Sequence, residues 1–122
     1  ESRLAFDEAA KEEIFEQLGK SYISGITFSG GDPLYFQNEP EVTAFAKEIR
    51  EKYPAKTIWL YTGYLWEELQ GKEILRYLDV LVDGRFVAEK KDIALKWKGS
   101  SNQRVIDVQR SLEEGNVVLH AD

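Results

Sequence analysis

The 122-residue chain contains no cysteine and no methionine, and it has a single histidine. Without cysteine, these residues offer no disulfide, no thiol nucleophile and no cysteine-based metal site. No apolar run approaches the roughly 18 residues that a membrane span needs, and no secretory signal peptide is visible. The sequence therefore predicts a soluble, cytoplasmic protein.

Positive charge is also in short supply. Lysine and arginine number 16 against 22 aspartates and glutamates, which gives a net charge of −6. Proteins whose main partner is DNA or RNA normally carry a basic face, so a nucleic-acid partner is disfavoured. The chain also lacks a Gly-x-Gly-x-x-Gly fingerprint, a P-loop and a Gly-x-Ser-x-Gly elbow, which disfavours the nucleotide-binding and hydrolase classes that use them.

What the chain does contain is the composition of one globular domain. Hydrophobic residues make up 43% and charged residues 31% of the sequence. A chain of this length can form a substantial core but is short for a complete barrel. We therefore predict one domain over residues 1–122. Because the sequence begins with Glu1 rather than methionine, we expect it to be an N-terminally truncated piece of a longer protein.

Helix and strand patterns alternate along the chain. Strands are predicted over residues 22–28, 57–62, 80–82 and 117–119. Helices or helical turns are predicted over residues 6–18, 38–53, 65–69, 72–78 and 105–112, and residues 88–104 are predicted to be irregular. This alternation indicates an α/β fold with a parallel sheet, whose strands would end at one common edge.

The helix predicted over residues 38–53 has the clearest signals. Its apolar residues recur at intervals of three and four, which is typical of a stripe that faces the core. Asn38 and Glu41 have the spacing of a capping box, and Pro40 falls in the first turn. Basic residues near the C-terminus, Arg50 among them, favour the helix dipole and are predicted to be solvated.

Each of the three best-predicted strands ends in glycine beside a polar residue. The three sequences are Ser-Gly-Gly-Asp at residues 29–32, Thr-Gly-Tyr at 62–64 and Asp-Gly-Arg at 83–85. If the strands are parallel, these ends meet and form a pocket in which Asp32 and Asp83 would suit a ligand that carries an ammonium group. The alternative is that they are ordinary loops, because strand-to-helix connections use Gly, Asp and Pro in any case.

Four blocks of sequence resemble a known family. They are Ile-Thr-Phe-Ser-Gly-Gly-Asp-Pro at 26–33, Trp-Leu-Tyr-Thr-Gly-Tyr at 59–64, Asp-Val-Leu-Val-Asp-Gly-Arg-Phe at 79–86 and Gly-Ser-Ser-Asn-Gln-Arg at 99–104. In this order and spacing, they resemble the anaerobic ribonucleoside-triphosphate reductase activating proteins, which are radical S-adenosylmethionine enzymes. The resemblance extends from about residue 25 to residue 112. One block would be a weak signal, whereas the four together are specific.

The resemblance implies a partial (βα) barrel of the radical S-adenosylmethionine type. In that family, the Gly-Gly-Asp/Glu-Pro loop binds the amino group of the methionine moiety, and polar groups at the next two strand ends approach the cofactor in related activases. The matching positions for cofactor binding here are Gly30, Gly31, Asp32, Pro33, Thr62, Asp83, Gly84 and Arg85.

The resemblance also implies a chemistry. A [4Fe-4S] cluster would reduce S-adenosylmethionine by one electron, and the resulting 5′-deoxyadenosyl radical would abstract hydrogen from a glycine of the reductase. A flavodoxin-type or other small protein would supply the electron. The family holds its cluster with a Cys-x-x-x-Cys-x-x-Cys motif, which this sequence lacks. We therefore expect the cluster ligands to lie outside this chain and the chain alone to be inactive.

Two alternatives remain open from the sequence. The chain could be a degenerate domain that binds a cofactor or a protein without catalysis, or it could belong to an activase of another glycyl-radical enzyme, such as pyruvate formate-lyase. The block at residues 99–103 favours the reductase activators, and we hypothesise that it contacts the reductase. Binding of S-adenosylmethionine without a cluster would favour the first alternative, and recovery of the partner would decide the second.

Overall fold

The computed structural model describes residues 8–21, 23–29, 32–35, 37–92, 94–95 and 97–120. In chain order its helices and strands are α1 (Glu8–Leu18), β1 (Gly25–Phe28), α2 (Glu39–Lys52), β2 (Thr57–Tyr61), β3 (Val80–Asp83), β4 (Arg104–Asp107) and α3 (Val108–Glu114). Short 3-10 turns cover Trp66–Glu68, Glu73–Tyr77 and Ala88–Lys90. The predicted α/β class is confirmed.

The four strands form one sheet in the order β1-β2-β3-β4. The pairs β1–β2 and β2–β3 are parallel, as predicted, whereas β4 runs antiparallel to β3. The prediction of a parallel sheet is therefore confirmed for β1, β2 and β3 and wrong for β4, which was not predicted as a strand. A parallel return normally requires a crossover helix. The described residues between β3 and β4 contain only one 3-10 turn, so the chain folds back beside β3.

One face of the sheet packs on α2 to form the core. Alternate strand residues on this face, Ile58, Leu60, Leu81 and Ile106, are fully buried. They meet a helical stripe that consists of Val42, Phe45, Ala46 and Ile49. The period of two in the strands and the spacing of three and four in the helix are what place these residues in one cluster.

The start of α2 differs from the prediction. The helix spans Glu39–Lys52 with Pro40 in its first turn, but Asn38 makes no side-chain cap and has helical dihedrals of φ −96° and ψ −30°. Instead, its Nδ2 donates to the carbonyl oxygen of Asp32 at 2.9 Å. The capping-box prediction is therefore wrong, because this buried amide links the start of α2 to the loop after β1.

The segment from residue 104 to 112 is the largest error of the sequence prediction. Residues 105–107 belong to β4, and the helix begins only at Val108, where the Asp107 side chain accepts from the Arg110 N–H at 3.2 Å. Val105 pairs with Val82 across the sheet. Pairing with a buried neighbouring strand overrides the weak local preference for a helix.

The remaining elements agree with the prediction in type but not always in length. The strand predicted over residues 117–119 is reduced to one bridge between Ile106 and Leu119. β1 is shorter than predicted, and Tyr22 lies outside the described residues, as do residues 1–7 of the chain. The two predicted helical turns are 3-10 turns separated near Gly71, whose φ of 84° favours glycine. Among the described helices, none is long and apolar enough to cross a membrane.

Arg50 is not simply solvated, contrary to the prediction. Its guanidinium donates to the carbonyls of Lys56 and Tyr77 at 3.2 and 2.7 Å and to Asp79 Oδ2 at 2.7 Å. The same carboxylate oxygen accepts from the Ile58 N–H at 2.7 Å. This network joins the C-terminus of α2 to the segments that lead into β2 and β3.

We expect Arg50→Met to lower the free energy of unfolding by about 2 kcal/mol, because it removes the counter-charge of the partly buried Asp79 carboxylate and the donor to the carbonyls of Lys56 and Tyr77. The measurement is the midpoint of urea denaturation. Arg110→Met is the matched control, since the Arg110–Glu114 pair is exposed and 3.6 Å long, and we expect its loss to cost less than about 0.5 kcal/mol. Equal shifts in the two variants would contradict the role assigned to Arg50.

Candidate functional site

The carboxyl ends of β1, β2 and β3 meet at an open cavity of about 160 Å³. Its lining residues are Asp32, Tyr61, Thr62, Gly63, Gly84, Phe86 and Gln103. The parallel register aligns Phe28 with Leu60 and Tyr61 with Val82, so the loops that follow these strands are neighbours. The structure thus brings the three predicted strand ends together at one edge of the sheet.

Asp32 connects the first of these loops to the second. Its Oδ1 accepts from the Leu34 N–H at 3.0 Å and from the Thr62 hydroxyl at 2.8 Å, and its Oδ2 accepts from the Gly63 N–H at 2.8 Å. A carboxylate has about four acceptor positions. Three are occupied here, which orients the half-buried group and leaves capacity for one further donor.

The first loop contains three further predicted site residues, Gly30, Gly31 and Pro33. Pro33 is buried, and the Tyr35 N–H donates to the Asp32 carbonyl at 3.1 Å, which closes a turn after β1. Gly30 and Gly31, for which cofactor binding is predicted, lie outside the described residues. Asp32 and Pro33 are therefore the predicted site residues of this loop that the structure describes.

Asp83 differs from the expectation that it would offer its charge to a ligand. It is fully buried, and its carboxylate accepts from Arg104 Nε at 3.1 Å, Arg104 Nη2 at 2.5 Å and the Trp66 N–H at 2.8 Å. Hydrogen bonds raise the pKa of Arg104 above its ordinary value, the bond to Asp83 more than the bond to Glu67. The hydrogen bond from Arg104 in turn lowers the pKa of Glu67. The buried pair cancels the negative charge that the sequence predicted for this side of the pocket.

Arg85 supplies a positive charge at the pocket rim instead. Its exposed side chain and that of Asp32 line an adjoining cavity of about 250 Å³, together with Tyr35, Gly63 and Tyr64. A Cβ atom at Gly63 would lie 3.4 Å from Arg85 Cγ and 3.4 Å from Asp32 Oδ2. Glycine thus keeps free the space between a carboxylate and an arginine, an arrangement that complements a ligand with both an ammonium and a carboxylate group.

Polar side chains of residues 100–103 bind the loop that contains Arg85. The Ser100 hydroxyl accepts from the Val87 N–H at 3.2 Å, and Asn102 Nδ2 donates to the Arg85 carbonyl at 2.8 Å. Gln103 Nε2 donates to the Gly84 carbonyl at 3.0 Å. These contacts give the three side chains an internal role, and the contact of this block with the reductase stays a prediction.

Tyr61 was not among the predicted site residues, although it lines the pocket. Its hydroxyl donates to the Trp97 carbonyl at 2.5 Å, and burial raises the pKa of the phenol. Trp97 has a φ of 67°, and its ring packs edge-on against Trp59 and His120, with centroids 5.4 and 5.0 Å away. The alternation along β2 already places Trp59 and Tyr61 on the face opposite the core, which is the signal that could have identified them.

Comparison with known proteins gives one consistent result. Residues 1–106 match the family model described as a 4Fe-4S single cluster domain. The anaerobic ribonucleoside-triphosphate reductase-activating protein of Enterobacteria phage T4 is 43% identical over 95 residues, which cover 76% of this chain and 59% of the relative. The proteins with the same name from Escherichia coli K12 and Haemophilus influenzae are 42% and 40% identical over 104 and 102 residues, covering 82% and 80% of this chain and 68% and 66% of the relatives.

The chain therefore spans about three fifths of the phage relative and about two thirds of the bacterial ones. No solved structure matches it significantly.

The residues present do not fit an iron-sulfur cluster. A [4Fe-4S] cluster is held by cysteine thiolates, and the chain contains no cysteine. In the part of the chain that the structure describes, no group of three or more His, Asp or Glu side chains could hold a metal ion either. The pocket residues are therefore suited to an organic ligand and not to a metal cluster.

We expect Arg104→Met to lower the free energy of unfolding by about 3–5 kcal/mol, because it leaves the fully buried Asp83 carboxylate without a counter-charge. Urea denaturation of the chain measures this loss. Glu67→Gln removes only the exposed partner of the same arginine, and we expect it to cost less than about 1 kcal/mol. Similar losses in both variants would show that the buried pair does not have the assigned weight.

Proposed function

Because this chain belongs to the family of anaerobic ribonucleoside-triphosphate reductase-activating proteins, we propose that it acts in the activation of such a reductase by binding S-adenosylmethionine. The activity of the intact protein would be the generation of a glycyl radical on the reductase. The observation that carries the proposal is that Asp32 and Arg85, at strand ends that contain the family's sequence blocks, line one cavity on either side of Gly63.

The methionine end of S-adenosylmethionine carries the two charges that this site complements. The remaining acceptor position of Asp32, together with the Gly-Gly-Asp-Pro loop of residues 30–33, would receive the ammonium group. The exposed guanidinium of Arg85 can form a bidentate pair with the carboxylate. Gly63 adds no side chain to the space between them.

The other predicted site residues would act on the cofactor mainly through these groups. The Thr62 hydroxyl orients the Asp32 carboxylate. Gly84, whose φ of 92° favours glycine, turns the chain at the pocket wall. Asp83 would not touch the cofactor but would hold Arg104, and so keep the third strand end in place.

The sheet fits part of a (βα) barrel, since β1, β2 and β3 are parallel and α2 packs on one face. We propose that these strands belong to a barrel of the radical S-adenosylmethionine type, in one domain. When bound, S-adenosylmethionine would be the source of the 5′-deoxyadenosyl radical that abstracts hydrogen from a glycine of the reductase; its cleavage to that radical and methionine would need one electron from a cluster whose ligands are not in this chain. The contribution of this chain is to bind and orient the cofactor, and we expect a flavodoxin-type or other small protein to serve as the electron donor.

A second candidate is a cofactor-binding domain that performs no catalysis itself. This chain holds no cluster ligands, so binding of S-adenosylmethionine by the chain alone tests the site and is also the result that this candidate predicts. The names of the relatives favour the reductase as the partner over another glycyl-radical enzyme.

We expect the chain to bind S-adenosylmethionine in isothermal titration calorimetry and Arg85→Gln to weaken binding about tenfold or more, because the carboxylate then lacks its charged partner. Arg85 is exposed, so the substitution should leave the urea midpoint unchanged. Arg110→Gln, an equal change at an exposed site on α3, is the control. If the unmodified chain binds no S-adenosylmethionine, or if both variants bind it as the unmodified chain does, the proposed site is wrong.

The choice of partner needs a separate measurement. The chain is immobilised and offered purified anaerobic reductase and purified pyruvate formate-lyase in parallel. Retention of the reductase alone is the expected outcome, whereas retention of pyruvate formate-lyase alone would contradict the proposal.

A further inference from the structure

Two segments at the pocket are joined residue by residue. We name residues 100–104 the clamp and residues 83–87 the recognition loop. Four of the five clamp side chains bind the recognition loop: Ser100 binds Val87, Asn102 binds Arg85, Gln103 binds Gly84 and Arg104 binds Asp83. Three of these contacts are to backbone groups, so the clamp restrains the path of the loop as well as its side chains.

The clamp is itself held in place. Gln103 Oε1 accepts from the N–H groups of Gly99 and Ser100 at 2.8 and 3.1 Å, and the Gln103 side chain is largely buried. Lys98 Nζ donates to the Gln103 carbonyl at 2.9 Å. At its end the clamp becomes β4, where Arg104 pairs with Asp83 in the sheet. The Gln103 carboxamide therefore has one fixed position from which to hold the Gly84 carbonyl.

The position of Arg85 depends on these contacts. The Gly84 and Arg85 carbonyls, which lie on either side of Arg85 Cα along the backbone, are held by Gln103 and Asn102 respectively. Holding both carbonyls restrains the backbone dihedrals at Arg85 and hence the direction in which its side chain leaves the loop. That side chain passes Gly63 on its way to the cavity that it shares with Asp32.

Asn102 holds the Arg85 carbonyl although one of its own polar atoms is buried without a partner in the residues that the structure describes. Its Oδ1 is buried and has no hydrogen-bond partner among the described residues, while its Nδ2 holds the Arg85 carbonyl. A buried acceptor without a partner is unfavourable, and a smaller apolar side chain would avoid it. The asparagine therefore makes the hydrogen bond to the Arg85 carbonyl although its own acceptor is left without a partner in the described part of the chain.

We propose that Asn102 and Gln103 are positioning residues that make the pocket selective for a ligand with a carboxylate beside its ammonium group. They act through Arg85, whose side chain they keep in the cavity that it shares with Asp32. This inference rests on the proposed function, because it takes the methionine end of S-adenosylmethionine as the ligand. It adds the residues that set the selectivity.

The test compares S-adenosylmethionine with decarboxylated S-adenosylmethionine, which lacks only the carboxylate. Calorimetry on the unmodified chain should show a preference of about tenfold or more for the complete cofactor. In Asn102→Ala we expect this preference to fall several-fold, with little change in the urea midpoint, since the substitution also removes the unpartnered acceptor. Asn116→Ala, the same change at an exposed position away from the pocket, should leave the preference unchanged.

A double-mutant cycle shows whether Asn102 acts through Arg85. Arg85→Gln alone should remove the preference, and adding Asn102→Ala to it should cause no further loss. Independent, additive effects of the two substitutions would overturn the proposal, as would an unchanged preference in Asn102→Ala. A merely structural role would lower affinity for both ligands equally and leave their ratio unchanged.

Hydrogen exchange separates this inference from the proposed function. The Gly84 and Val87 amides donate to Tyr64 and Ser100, so their exchange reports opening of the recognition loop without any ligand. Faster exchange at both amides in Asn102→Ala supports the clamp, and unchanged exchange overturns it. If exchange is faster but the unmodified chain binds neither ligand, the proposed cofactor fails, and the selectivity assigned to the clamp is overturned with it.

Discussion

The buried ion pair between Asp83 and Arg104 is the constraint on which the pocket side of the molecule depends. A carboxylate without solvent exposure must be paired, and here the partner comes from the start of β4. The pairing fixes β4 against the end of β3 in antiparallel register. It also brings the preceding residues onto the loop after β3, where Asn102 and Gln103 hold the backbone. One desolvated charge thus determines where the edge strand lies and what lies over the third strand end.

The same pair decides the electrostatics of the site. With Asp83 neutralised internally, the charges that line the two cavities are the Asp32 carboxylate and the Arg85 guanidinium, with Gly63 between them. A pocket with two free acids would favour a cation, whereas this one suits a zwitterion. The amino-acid end of S-adenosylmethionine, the ligand that we propose, is such a group.

The two edges of the sheet, at the amino and the carboxyl ends of the strands, have different roles. At the amino ends of β2 and β3, Arg50 and Asp79 join α2 to the sheet with hydrogen bonds that touch no cavity at the strand ends. At the carboxyl ends, the loops contain glycines and charged groups whose positions are set by side chains from β4 and the segment before it. In α/β proteins the carboxyl edge commonly holds the ligand and the opposite edge stabilises the fold. Here Arg50 stabilises the fold at the amino edge, and Arg104 lies at the carboxyl edge, beside the pocket.

The sequence by itself determined the features that local patterns and motifs encode. Apolar spacing located α2 and the three parallel strands, the glycines and acids marked the strand ends, and four blocks identified the family that relatives at 40–43% identity confirm. Only the tertiary structure decided which polar groups pair. Nothing near Asp83 in the sequence indicates that Arg104, 21 residues later, neutralises it, or that Asn38 turns to Asp32 instead of capping its own helix. Val105 is compatible with a helix or a strand, and its strand form depends on Val82 being beside it. A local pattern records what a residue prefers, whereas pairing and burial depend on neighbours that are distant in the chain.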